Sequence, residues 1–197
     1  MWQGLMELDG NILLYVQDNL RTDILDSIAV PFTSLGNAGL VWILIVAMLV
    51  MYRNTRKDGL YCVVSLIMCF IVVNLFLKNV VARIRPYDAM EQIRCLVEPQ
   101  MDYSFPSGHT AIAFAASVPV FILSSKRLGV VMLIFSVLMG LSRIYVCVHY
   151  PTDVIGGAVI GILCGLVTGL VIYPRFERHN KKNSKKMKKS VDRINRR

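Results

Sequence analysis

Ser142-Arg143-Ile144-Tyr145-Val146-Cys147-Val148-His149-Tyr150-Pro151-Thr152-Asp153 sets three ionisable side chains, Arg143, His149 and Asp153, between two long apolar runs, residues 128–141 and 154–173. Ionisable groups beside membrane-length segments are expensive to keep there and mark functional sites. His149 and Asp153 are four apart, a spacing that brings a carboxylate to one imidazole nitrogen and leaves the other free and more basic. The same stretch also reads as a juxtamembrane turn with an Asp at a helix start. Taken alone, its residues leave both readings open.

Working outward, three further apolar runs occupy residues 35–52, 60–77 and 111–123 of the 197-residue chain, which is 55% hydrophobic. A transmembrane helix needs about 20 apolar residues, and three of the five runs approach that length. The expectation is an all-α protein, a polytopic membrane bundle of five to six helices. Residues 1–37 are apolar only in short pieces broken by Asp18, Arg21, Asp23, Asp26 and Pro31. They read as amphipathic helices in the interface or as a broken first span, followed by a membrane domain over 38–173 and a basic tail over 174–197. Residues 1–10 lack a basic region and a small-residue cleavage site, so no secretory signal is expected there.

The short loop 53–58, the loop 124–127 and the tail are rich in Lys and Arg. Such segments concentrate on the cytoplasmic side, and five alternating spans place all three there. The same counting sends 78–106 and 147–153 to the extracytoplasmic face. The tail reads as a topology anchor touching anionic lipid rather than as a nucleic-acid patch. Gly157, Gly161, Gly165 and Gly169 recur every fourth position, giving one face of the last helix to close helix approach, either within the chain or in a homo-oligomer. The five cysteines lack metal-ligand spacing. Cys95 and Cys147 fall on the same face, which leaves a disulfide between them open.

Two more clusters share the outer face with His149. Lys78 and Arg85 are seven apart, so a helix continuing past Leu77 would carry both on nearly one face, able to converge on an anion. Arg83 falls off that face and reads as a solvated charge whose loss would be mild. Pro106-Ser107-Gly108-His109 precedes the run 111–123, where Ser107 is a good N-cap and Gly108 lets an anion approach the amides of a helix start. Arg143 adds a planar donor suited to phosphate oxygens. The carboxylates do not cluster as metal ligands.

Lys78-x6-Arg85-Pro86, Pro106-Ser107-Gly108-His109 and Ser142-Arg143-x5-His149-x3-Asp153 resemble the three signature motifs of the type 2 phosphatidate phosphatase superfamily, membrane lipid phosphatases related to vanadium-dependent haloperoxidases. The resemblance runs from about residue 60 to residue 173. It implies a reaction without metal or cofactor through a phosphohistidine: His149 as nucleophile, Asp153 orienting it, and His109 as general acid and then base. Lys78, Arg85, Ser107, Gly108 and Arg143 would hold the phosphate. Because His149 must be neutral and His109 protonated, a bell-shaped pH profile is expected. Small size and short loops resemble bacterial members that act on undecaprenyl pyrophosphate, with phosphatidylglycerol phosphate or phosphatidate as the alternative lipid. Phosphotransfer to another acceptor, or lipid binding without catalysis, are the competing classes.

Overall fold

The computed structural model describes residues 2–175, and the regular structure among them is helical throughout. α1 (Trp2–Asn19) leads into α2 (Asp23–Leu35), whose start is capped by the Thr22 hydroxyl accepting from the Leu25 amide. α3 (Leu40–Met51) follows, then α4 (Arg56–Phe70), which runs through a π-helical segment, Ile71–Leu77, into α5 (Lys78–Val81). The short α6 (Pro86–Ala89) precedes a long loop. α7 (Gly108–Leu123), α8 (Lys126–Tyr145) and α9 (Pro151–Leu166) complete the bundle, α9 continuing as π-helix over Val167–Ile172.

Arg56–Ala89, Lys126–Tyr145 and Pro151–Arg175 are each long and apolar enough to cross a membrane. α2 and α3, bent by 46° at their junction, make a fourth candidate as one broken span. Thus the second half of the expected interfacial segment joins the run that follows it. α1 lies against α8 and α9. The 16-residue α7 spans only about 24 Å at 1.5 Å per residue. It packs against α4, α8 and α9 at once, and ten of its residues from Thr110 to Val120 are buried. Shielded by its neighbours, it needs no lipid-length exterior. Leu44, Ile67, Phe70, Ile134, Leu141, Ile155 and Leu163, by contrast, are exposed on the outside of the bundle, an apolar exterior suited to a bilayer.

Small residues let α7 be enclosed. A Cβ on Gly157 would lie 2.5 Å from the Ser107 carbonyl oxygen, on Gly161 2.3 Å from the Ala111 carbonyl oxygen, and on Gly165 2.6 Å from Val118 Cβ. A Cβ on Gly169 would meet Ile122 Cδ1 at 3.0 Å. The glycine face is therefore occupied by α7 of the same chain, the first of the two partners that the sequence left open. Ser65 Oγ donates to the Ala115 carbonyl at 2.7 Å and Ser117 Oγ lies 2.8 Å from Ser136 Oγ, so hydroxyls lock α4 and α8 onto α7 where lipid offers no competing partner. Gly161→Ala is expected to destabilise the protein by about 1–3 kcal/mol, the usual cost of overpacking, because backbone atoms cannot step aside as a side chain can. Thermal unfolding in detergent checks this.

Candidate active site

Pro151 and Thr152 open α9 and place Asp153 in its first turn, as the sequence predicts. There the fully buried Asp153 carboxylate does two things. Its Oδ2 accepts from the Tyr150 amide at 3.0 Å, an N-terminal cap, and the same oxygen faces His149 Nδ1 at 3.6 Å. Ser104 fits between them, donating to Asp153 Oδ2 at 2.5 Å with its Oγ 3.4 Å from His149 Nδ1. Nothing in the spacing of the chain announced Ser104. With Nδ1 turned to this pair, Nε2 is the outward nitrogen, 3.5 Å from an Arg85 guanidinium nitrogen. Burial pulls the imidazole down to about 4; Asp153 opposes the shift, while the Arg85 and Arg143 cations add to it. His149 is thus neutral at physiological pH, as a nucleophile or base must be.

Lys78 and Arg85 converge, but by a different route from the expected continuous helix. The helix ends at Ala82, whose φ of 46° is left-handed, and Arg85 is extended at the start of α6. Both cations meet at Asp102. Lys78 Nζ pairs with Asp102 Oδ2, while Arg85 Nη2 donates to Oδ1 at 2.5 Å and Nε to the Asp102 carbonyl at 2.8 Å. Burial alone would raise the Asp102 carboxyl, yet Lys78 and Arg85 outweigh it and hold it at about 2. A carboxylate of the chain itself therefore sits in an oxyanion seat beside His149.

The third wall is the start of α7. Ser107 holds the cap position, but its hydroxyl lies 3.0 Å from Thr110 Oγ1 and caps no amide, which corrects that part of the expectation. Its own amide donates to the Asp153 carbonyl at 3.0 Å, tying α7 to α9. A Cβ at Gly108 would lie 3.6 Å from Lys78 Nζ and 3.8 Å from Asn74 Oδ1, so glycine keeps the approach to the lysine open. His109 Nε2 lies 3.2 Å from Asn37 Oδ1 at the α2–α3 elbow. Arg143 is buried, with Nη1 on Thr33 Oγ1 at 2.8 Å, and its Nε and Nη2 have no partner. Two charged donors left unmet in the interior are costly unless a ligand meets them.

Arg83 is not the solvated charge expected from the sequence. Nη1 donates to Asp153 Oδ1 and to Thr152 Oγ1, and Nη2 to Asp9 Oδ2, each at 2.7 Å. The helix break at Ala82 turns it away from the face extrapolated along α5. Cys95 and Cys147 are free thiols.

A cavity of about 520 Å³ joins the polar walls to apolar ones: Lys78, Asp102, Gly108, His109 and His149 line one part, and Ile43, Leu66, Ile67, Phe70 and Ile112 another. Ile43, Ile67 and Phe70 are also exposed on the outside of the bundle, so the cavity connects an anion seat with the surface that faces lipid.

Residues 58–177 match the PAP2 superfamily. The chain is 37% identical over 121 residues to an undecaprenyl-diphosphatase of Sulfolobus acidocaldarius, covering 61% of this chain and 58% of that protein. It is 34% identical over 147 residues to an undecaprenyl-diphosphatase of Bacillus subtilis, covering 75% of each. Among solved structures, the transmembrane PAP2-type phosphatidylglycerolphosphate phosphatase of Bacillus subtilis superposes with a TM-score of 0.70 at 28% identity, over 84% of each chain. The match in sequence across the bundle, the match in fold, and the meeting of all three motifs at one cavity agree: the chain is a membrane protein that belongs to the PAP2 superfamily.

Proposed function

We propose that the protein is an integral membrane lipid phosphatase that cleaves a lipid pyrophosphate, most readily undecaprenyl pyrophosphate, through a phosphohistidine. The observation that carries this reading is the anion seat between Lys78 and Arg85, occupied by Asp102, beside His149 Nε2 and at one end of a cavity with apolar walls. The phosphate displaces Asp102, Nε2 attacks phosphorus, and the bond to the leaving oxygen breaks as His109 gives that oxygen its proton. Water then attacks the phosphohistidine, His109 takes its proton, and the P–N bond breaks to release orthophosphate. Lys78, Arg85, Ser107, the Gly108 amide and the unmet edge of Arg143 hold the non-bridging oxygens as charge develops.

The named activities of the two relatives support undecaprenyl pyrophosphate, and that of the solved neighbour supports phosphatidylglycerol phosphate as the second lipid. Orthophosphate release by purified protein, with chelator, against isoprenoid and glycerolipid phosphates tests both. Release fastest from the isoprenoid pyrophosphate supports the reading; no release from any lipid overturns it, and release only with an added alcohol acceptor would make the protein a phosphotransferase.

The helix order supports one orientation in the membrane. The site gathers the ends of α5 and α8 and the starts of α7 and α9, so the basic loops 53–58 and 124–127 lie at the other end of the bundle. With Lys and Arg cytoplasmic, the site opens on the extracytoplasmic side of the plasma membrane and the tail is cytoplasmic. Most of that tail lies outside the described residues.

Two outcomes follow. Asp102→Asn removes the resident anion, so inhibition by orthophosphate is expected to tighten by about tenfold, one charge-assisted hydrogen bond's worth; an unchanged inhibition constant would move the seat elsewhere. In kcat/KM, activity is expected to fall as pH drops through about 4, where the buried His149 gains a proton and can no longer attack. Burial first, and then the Arg143, Lys78 and Arg85 cations, lower His109 in the free protein, so it carries the proton it donates only once a bound phosphate offsets them, and the alkaline limb belongs to kcat. A rate that rises or falls monotonically would count against these roles.

A further inference from the structure

We propose that Asp9 and Arg83 are positioning residues of this reaction: a chain of contacts from the buried Asp9 of α1 through the part-buried Arg83 fixes the Asp153 carboxylate that orients His149. The proposal rests on the reading of His149 as nucleophile.

Asp153 divides its two oxygens between two tasks. Oδ2 serves Ser104, the Tyr150 amide and His149, whereas Oδ1 receives Arg83 Nη1 at 2.7 Å. Without that second contact only Oδ2 is held, by Ser104 and the Tyr150 amide, so the carboxylate can tilt about that oxygen and the 3.6 Å approach to Nδ1 is set less tightly. Arg83 is itself held on every side. Its Nη2 donates to Asp9 Oδ2 at 2.7 Å, its guanidinium lies 3.9 Å over the Tyr150 ring, and its carbonyl accepts from the Ser104 amide at 2.8 Å. It therefore governs both groups that address Nδ1. Asp9, 2% exposed, also accepts from the Thr152 amide at 3.1 Å and from the Thr152 hydroxyl at 2.5 Å. One carboxylate thus clamps Arg83 and the first turn of α9 together. A buried carboxylate is retained only when it is paired and hydrogen-bonded, and here each of its partners leads to Asp153. Asp9 lies outside the matched residues 58–177, so the segment before the shared domain takes part in aligning the site.

A purely structural staple would cost stability and nothing more; alignment predicts a different signature. The charged and polar groups around His149 are Asp153, Arg85, Arg143, His109 and Ser104. Removing the Arg83 cation leaves the Asp153 charge undivided, which favours the imidazolium and moves the acid limb to higher pH.

The experiment measures kcat, KM, the pH profile of kcat/KM and thermal unfolding for wild type, Arg83→Gln, Arg83→Lys and Asp9→Asn in detergent. Arg83→Gln should lower kcat by about 10- to 100-fold, the range usual for outer partners of a catalytic group, with KM within about twofold and the acid limb raised. Arg83→Lys keeps the charge without the planar fork, so it should restore the limb while recovering kcat only in part. Asp9→Asn should follow Arg83→Gln more weakly. An unmoved acid limb with activity falling only in step with melting temperature would reduce the chain to a staple and overturn the proposal. If Arg83→Gln fails to fold, Arg83→Lys and Asp9→Asn decide by the same two readouts. Active wild type with unaffected variants overturns this inference alone, whereas inactive wild type overturns the phosphatase reading beneath it.

Discussion

His149→Ala is expected to stop orthophosphate release, with a loss of at least about 10⁴-fold, on the scale seen when a covalent nucleophile is deleted. It should also leave no trapped phosphoenzyme when the reaction with labelled lipid is quenched. The effect is large because no neighbour can take over. His109 lies across the cavity on α7 with its Nε2 toward Asn37, while the other groups around the seat are cations, a carboxylate and the Ser104 and Ser107 hydroxyls, which are engaged with Asp153 and Thr110. His149 is 1% exposed, so truncation opens a hole; His149→Gln, which fills most of it, separates loss of folding from loss of chemistry and should be equally inactive. A phosphoenzyme that survives in the variant would reject His149 as the nucleophile. His109→Gln makes the contrasting case, since the nucleophile remains and the proton donor does not.

Arg143→Met is expected to act in opposite directions on rate and stability. The guanidinium is 1% exposed, and only Nη1 has a partner, Thr33. Losing a preorganised donor to transition-state charge costs about 10²–10³-fold in kcat. Removing an incompletely paired buried charge in favour of an apolar side chain of similar length is often neutral or stabilising by about 1–4 kcal/mol. A variant that is both inactive and harder to melt would identify Arg143 as a group kept for the ligand at the expense of the fold. If the variant were inactive and unstable together, the Thr33 contact would be the residue's main contribution.

The bundle was legible because hydrocarbon imposes its length on the chain. Five apolar runs, their polar interruptions and the basic loops were enough to put Lys78, His109, Arg143, His149 and Asp153 on one side. α7 was readable as a helix start with a histidine on it, but its shortness made sense only once three neighbours were seen to enclose it. The Gly157–Gly169 stripe showed that something approaches closely, and only packing identified α7 as the partner. Arg83 was misjudged by extrapolating the helix beyond Leu77. Pro86 announces a break, yet the chain leaves the helix at Ala82, and a left-handed alanine carries no signal in the sequence. Ser104, Asp102 and Asp9 were invisible for a related reason. Each acts through a partner distant in sequence, and no periodicity connects residues on separate elements.

The Asp9 clamp also sets an order of events during biogenesis. Thr152 is 143 residues downstream of Asp9, and Arg83 is 74. A chain is made and inserted from its N-terminus, so Asp9 can meet Arg83 only after α5 is in place, and its clamp on Thr152 closes only when the last helix has entered the bundle. Closing so long a loop is slow compared with local helix formation. Partly inserted chains consequently have their helices before they have an aligned histidine, and hydrolytic competence arrives only with the completed bundle.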